Sequence, residues 1–88
     1  MNNHIMVKIN TYEDLDRLAN TATSINYYKI KDAMREKMNY CVKNNKKVDR
    51  TVYALFTYDG KFIEVIDRIP TNYNYPLEEE ILNGMFDN

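Results

Sequence analysis

Apolar positions along the chain change their period several times, and each change marks an element. Residues 5–9 (Ile5, Met6, Val7, Lys8, Ile9) form a short apolar run with β-branched members, long enough for a strand and too short for a helix. Thr11 has the chemistry of a helix N-cap. Glu13, Asp14 and Asp16 follow where the helix dipole favours carboxylates. Tyr12, Leu15, Leu18, Ala19 and Ala22 recur at the three-and-four spacing of one helical face, which predicts a helix over residues 12–21. Asn20, Thr21, Thr23 and Ser24 compete with the backbone for hydrogen bonds and end it, and Ser24 or Asn26 can cap the next. Ile30, Met34, Met38 and Cys41 then share one side of a longer helix, predicted over 26–44, with Lys29, Asp32, Glu36, Asn39 and Lys43 opposite. Asn44 and Asn45 supply a left-handed C-cap.

Two β-rich runs, 51–58 and 61–69, flank Asp59-Gly60. That dipeptide predicts a two-residue type I′ hairpin, because both of its turn positions require positive φ. In the resulting register Phe56 faces Ile63, Ala54 faces Val65 and Val52 faces Asp67 on one side of the ribbon. Thr57 with Phe62, Leu55 with Glu64, and Tyr53 with Ile66 occupy the other. The first side reads as core. The second also carries Tyr53, Leu55, Phe62 and Ile66, and needs a cover from the C-terminal segment, from a second copy of the chain, or from a foreign partner.

Pro70 ends the second run, Tyr73 and Tyr75 lie in a turn-rich stretch, and Pro76 with Glu78, Glu79 and Glu80 suits a helix start. A short helix over 76–83 with Leu77, Ile81 and Leu82 on its apolar face stops at Gly84. The expected fold is α+β: one small domain over 1–88, in the order β-α-α-β-β-α. A three-stranded antiparallel sheet carries the helices on one face and ends in the short C-terminal helix.

The charge pattern is lopsided. Net charge is −1 over 88 residues, yet residues 1–26 carry −1, 27–50 carry +5 and 51–88 carry −5. Cations at a helix C-terminus and glutamates at an N-terminus are what local helix stabilisation asks for; a lopsided field also steers association. At 44% hydrophobic and 28% charged, the composition is that of an ordinary globular chain. Asn, Lys, Ile and Tyr together make up 36 of the 88 residues. All four have AT-rich codons, so the gene fits a low-GC genome or a phage or plasmid living in one.

Catalytic chemistry is thinly represented. With two glycines there is no phosphate-cradling glycine loop. His4 is the sole histidine and sits near the N-terminus, and Cys41, the sole cysteine, belongs to the apolar stripe of the long helix. Consecutive glutamates on a helix point in different directions and do not converge as an acid/base pair or a metal cage. The expectation is a non-enzymatic chain with no cofactor and no metal site. A single cysteine and the lack of a signal-like or membrane-length apolar run, roughly 18 residues, place it in the cytoplasm.

Binding remains. The preferred reading is a stoichiometric inhibitor or regulator from a phage or mobile element that binds a host protein, such as a restriction or CRISPR nuclease. Its anchors are Tyr53, Leu55, Phe62 and Ile66 on the hairpin, with Tyr73, Tyr75, Glu78, Glu79 and Glu80 beyond it. The acidic stretch invites a local imitation of a phosphate backbone. The alternatives are a homodimer or other homo-oligomer formed through the hairpin, and a nucleic-acid-binding regulator. The latter would use Tyr28, Lys31, Arg35, Lys43, Lys46, Lys47 and Arg50, which group along and just beyond the long helix.

Overall fold

The computed structural model of the chain describes residues 4–22 and 24–68. Within them the order is β1 (His4–Ile9), α1 (Tyr12–Thr21), α2 (Tyr27–Lys43), β2 (Val52–Thr57) and β3 (Phe62–Ile66). This is an α+β arrangement around a three-stranded antiparallel sheet ordered β1-β2-β3, with β2 central. The expected helix over 76–83 lies outside the described residues. No helix among the described residues is long and apolar enough to cross a membrane.

Local chemistry accounts for the helix ends. The Thr11 hydroxyl accepts from the Asp14 amide at 3.0 Å, while the Asp14 carboxylate accepts from the Thr11 and Asn10 amides at 3.2 and 3.1 Å. This is a reciprocal capping box with aspartate in the usual glutamate position. Asn26 caps α2, its side-chain oxygen accepting from the Lys29 amide at 3.2 Å. Ser24, the other cap candidate, instead accepts from the Phe62 amide at 3.3 Å and tethers β3 to the interhelical turn. At the far end Lys46 N–H reaches Cys41 O at 2.8 Å and Asn45 N–H reaches Val42 O at 3.2 Å, with Asn45 at φ 55°. These two bonds are those of a Schellman motif, with asparagine where glycine is commonest.

The core lies between the helices and one side of the sheet. Ile5, Val7 and Ile9 pair across the ladder with Phe56, Ala54 and Val52, and all six pack with Leu15, Leu18, Ile30 and Met34 in one buried cluster.

The hairpin departs from the expected geometry. Gly60 takes φ 91°, but Asn45 is the one non-glycine residue with positive φ among the described residues, so Asp59 cannot occupy a type I′ position. The turn closes with Gly60 N–H on Thr57 O (3.0 Å) and Thr57 N–H on Lys61 O (2.9 Å), a three-residue loop with glycine in the left-handed position. The Thr57 hydroxyl donates to the Asp59 carboxylate and accepts from the Lys61 amide at 3.0 Å, which favours this turn over the tighter one. The extra loop residue is absorbed by a bulge: Phe56 pairs with Phe62 and Leu55 with Glu64, so Ile63 is skipped.

The bulge corrects two assignments. Phe62, expected on the outer side, is partly buried against the core, edge-to-face with Phe56 at 5.7 Å. Ile63, expected opposite Phe56 in the core, is 40% exposed. Beyond the bulge, Leu55 with Glu64, Ala54 with Val65 and Tyr53 with Ile66 pair as expected.

Candidate functional site

The sheet side turned away from the helices carries Met6, Leu55, Tyr53 and Ile66. Leu55 and Met6 face each other across the ladder and are 8% and 1% exposed. Leu55 is therefore packed in this structure. Tyr53 and Ile66 are half-buried. Tyr73, Tyr75, Glu78, Glu79 and Glu80 lie outside the described residues.

Ile66 also belongs to a different feature. A groove of about 880 Å³ runs along the seam of α2 and β3. Its more buried, apolar lining is Ala33 and Cys41 from α2 with Val65 and Ile66 from β3; Glu36, Tyr40, Lys46, Asp67 and Arg68 are the exposed members. Tyr40 and Cys41 lie in the last turn of α2, and the Schellman turn that follows leads the chain back to Lys46. There its ammonium lies 5.2 Å from the Tyr40 ring centroid. Lys37 is also part of the lining, but its ammonium is engaged: it donates to Thr51 O at 2.5 Å and Asp67 O at 2.8 Å, with Asp49 at 3.7 Å. Thr51 N–H, donating to the Asp49 carboxylate at 2.9 Å, chiefly holds that carboxyl below its ordinary pKa. The Cys41 thiol is buried and directed at Asp49 O, 3.7 Å away.

A second cluster forms where α1, α2 and the start of β2 meet. The Lys31 ammonium lies 5.7 Å from the Tyr12 ring centroid and 5.8 Å from that of Tyr27, and the Arg50 guanidinium carbon lies 5.1 Å from Tyr12. Arg50 Nη2 contacts the Met38 sulfur at 3.3 Å, and its Nε is buried without a hydrogen-bond partner. The Tyr27 hydroxyl donates to Asp16 at 2.9 Å; that bond, more than desolvation or charge, raises its pKa. Tyr28 stands edge-on to Tyr27 at 5.3 Å and is 74% exposed.

The expected cationic set is thus divided. Lys31 and Arg50 come together with Tyr28 nearby; Arg35 is paired with Asp32 at 2.7 Å; Lys46 belongs to the groove; Lys43 and Lys47 are exposed. Tyr12, Tyr27, Tyr40 and Lys37 were not singled out by sequence. Tyr12 reads as an apolar-face residue of the first helix, and nothing local shows that a lysine and an arginine from other elements converge on it. Among the described residues, no group of three or more His, Cys, Asp or Glu side chains is placed to hold a metal ion. No family model matches the chain, and neither a curated protein nor a solved structure matches it.

Proposed function

We propose that this chain is a small, non-enzymatic binding protein that occupies a protein partner stoichiometrically and receives a segment of that partner in the groove between α2 and β3. The observation that carries the reading is the groove itself: a concave apolar lining with Tyr40, Lys46 and Arg68 exposed around it. Aromatic residues and arginine beside buried aliphatics are the usual composition of an interface anchor site. Among the described residues β3 is an outer strand of the sheet, and its Ile63 and Glu64 are exposed, so an extended segment can add along it and reach the groove beside Val65 and Tyr40. The sheet side with Met6 and Leu55, being buried, drops out of the proposal, and the contact moves to the seam.

The acidic stretch with Tyr73, Tyr75, Glu78, Glu79 and Glu80 stays in the proposal as a second, sequence-based contact. The AT-rich coding bias favours a phage or mobile element as the source and a host defence enzyme as the partner class. The test is affinity capture from cells of the encoding organism with the wild-type chain, Tyr40→Ala and Ile66→Glu, each checked by circular dichroism. Loss of the same captured protein in both folded variants supports the groove; full capture by both rejects it.

A further inference from the structure

We infer that the edge where α1, α2 and Arg50 meet is a separate binding site for single-stranded nucleic acid, in which Lys31 and Arg50 take the phosphates and Tyr28 offers a ring for base stacking. The inference is independent of the groove, which lies on another seam of α2.

The first argument is charge. Lys31 and Arg50 both lie over the Tyr12 ring, at 5.7 and 5.1 Å from its centroid, so the two cations are within about 11 Å of each other. Neither is in an ion pair among the described residues. Of the nearby acids, Asp14 pairs with Arg17, Asp32 with Arg35 and Asp49 with Lys37, while Asp16 accepts from Tyr27 and keeps its charge, and Glu13, next to Tyr12 in sequence, is exposed. Two like charges brought onto one ring repel each other, and a phosphate between or beside them reverses the sign of that interaction.

The second argument is the state of the Arg50 guanidinium. A ring face and a thioether sulfur orient it without neutralising it, since sulfur is a weak acceptor. Its Nε is buried without a hydrogen-bond partner, and the terminal nitrogens of a guanidinium oriented this way match the paired oxygens of a phosphate.

The third argument is the aromatic company. Tyr27 is fixed by its hydroxyl bond to Asp16 and braces Tyr28 edge-on, leaving the Tyr28 ring largely in solvent. Cations beside an exposed tyrosine are the combination that binds unpaired strands, because every base has a face to stack and every nucleotide a phosphate. A duplex keeps its bases stacked and has no use for Tyr28, and an acidic peptide has carboxylates but no bases. The exposed ring is what selects among these polyanions.

The experiment is fluorescence anisotropy of a labelled oligothymidylate titrated with the full chain at several salt concentrations. Binding that weakens steeply with salt is expected, with the log–log slope shallower by about 0.7 in Lys31→Ala, one phosphate contact fewer. Tyr28→Ala, which removes an exposed side chain, is expected to weaken binding roughly tenfold or more, the loss of one base stack. Arg50→Lys keeps the charge and loses the fork, and is expected to bind less tightly at an unchanged slope. Ile66→Glu, in the groove, is expected to leave the titration unchanged. A flat titration at low salt overturns the inference. So do equal binding by wild type, Lys31→Ala and Tyr28→Ala, and equal competition by polyglutamate, which would mark a general acidic-peptide site.

Discussion

The Lys37 ammonium reaches the Asp67 carbonyl at 2.8 Å across thirty positions of chain. The same group donates to Thr51 O, so one side chain from the middle of α2 holds both the entry to β2 and the exit from β3. Lys37 lines the groove, and its head satisfies the two carbonyls. Lys37→Met keeps most of the stem and removes the donors. It is expected to cost about 1–3 kcal/mol, two hydrogen bonds' worth, in urea denaturation. An unchanged midpoint would show that water replaces the ammonium without loss.

Asp14 ties stability to pH. Burial pulls its pKa up, but the Arg17 guanidinium at 2.5 Å and the Asn10 and Thr11 amides outweigh that and leave it below the ordinary 3.8. A carboxyl with a depressed folded-state pKa adds stability that is complete above the unfolded value and is lost as pH falls through the lower folded one. Asp14→Asn is therefore expected to cost about 1 kcal/mol at neutral pH, where the capping box and ion pair are intact. It is expected to cost progressively less as the pH drops below 3.8. Denaturation curves at neutral and acid pH that differ from wild type by the same amount would refute the linkage.

The bulge makes neighbouring residues unequal. Phe62→Ala, which empties a ring packed on Phe56, is expected to cost about 2–4 kcal/mol; Ile63→Thr, on the exposed skipped residue, is expected to stay within about 0.5 kcal/mol. Gly60→Ala puts a Cβ at φ 91° and is expected to cost about 1 kcal/mol or more. A larger cost at position 63 than at position 62 would point to the tighter turn.

Leu55 is expected to behave as a core residue even though it lies on the side of the sheet without helices. Leu55→Ala is expected to cost about 2–3 kcal/mol in the isolated chain, as its 8% exposure implies. A change near zero would mean that the side chain is free in solution and available as an anchor.

These positions also show what the amino-acid order makes legible. Helix ends are local problems, and Thr11, Asn26 and Asn45 solve theirs with side chains or φ values within a few residues, so their roles can be read directly. The hairpin is half local. Asp-Gly signals a reversal, but the hydroxyl of Thr57 decides between two turns that both accept it, and that choice moves Phe62 from one side of the sheet to the other. The binding surfaces are not local at all. Tyr12, Lys31 and Arg50 belong to three separate stretches, and the groove draws on α2, β3 and the residues beyond each. Periodicity places Ile66 on the ribbon's outer side but carries no sign of the seam it shares with Tyr40.

The most direct test of the groove as the binding surface is photo-crosslinking from a benzophenone amino acid placed at position 40 and, separately, at position 58, in cells of the encoding organism. Both tyrosines are exposed, and Tyr40 alone of the two lines the groove. The account predicts a single dominant protein adduct from position 40, abolished by Ile66→Glu, and none of that adduct from position 58. Equal adducts from both positions, or an adduct from position 40 that survives Ile66→Glu, would contradict it.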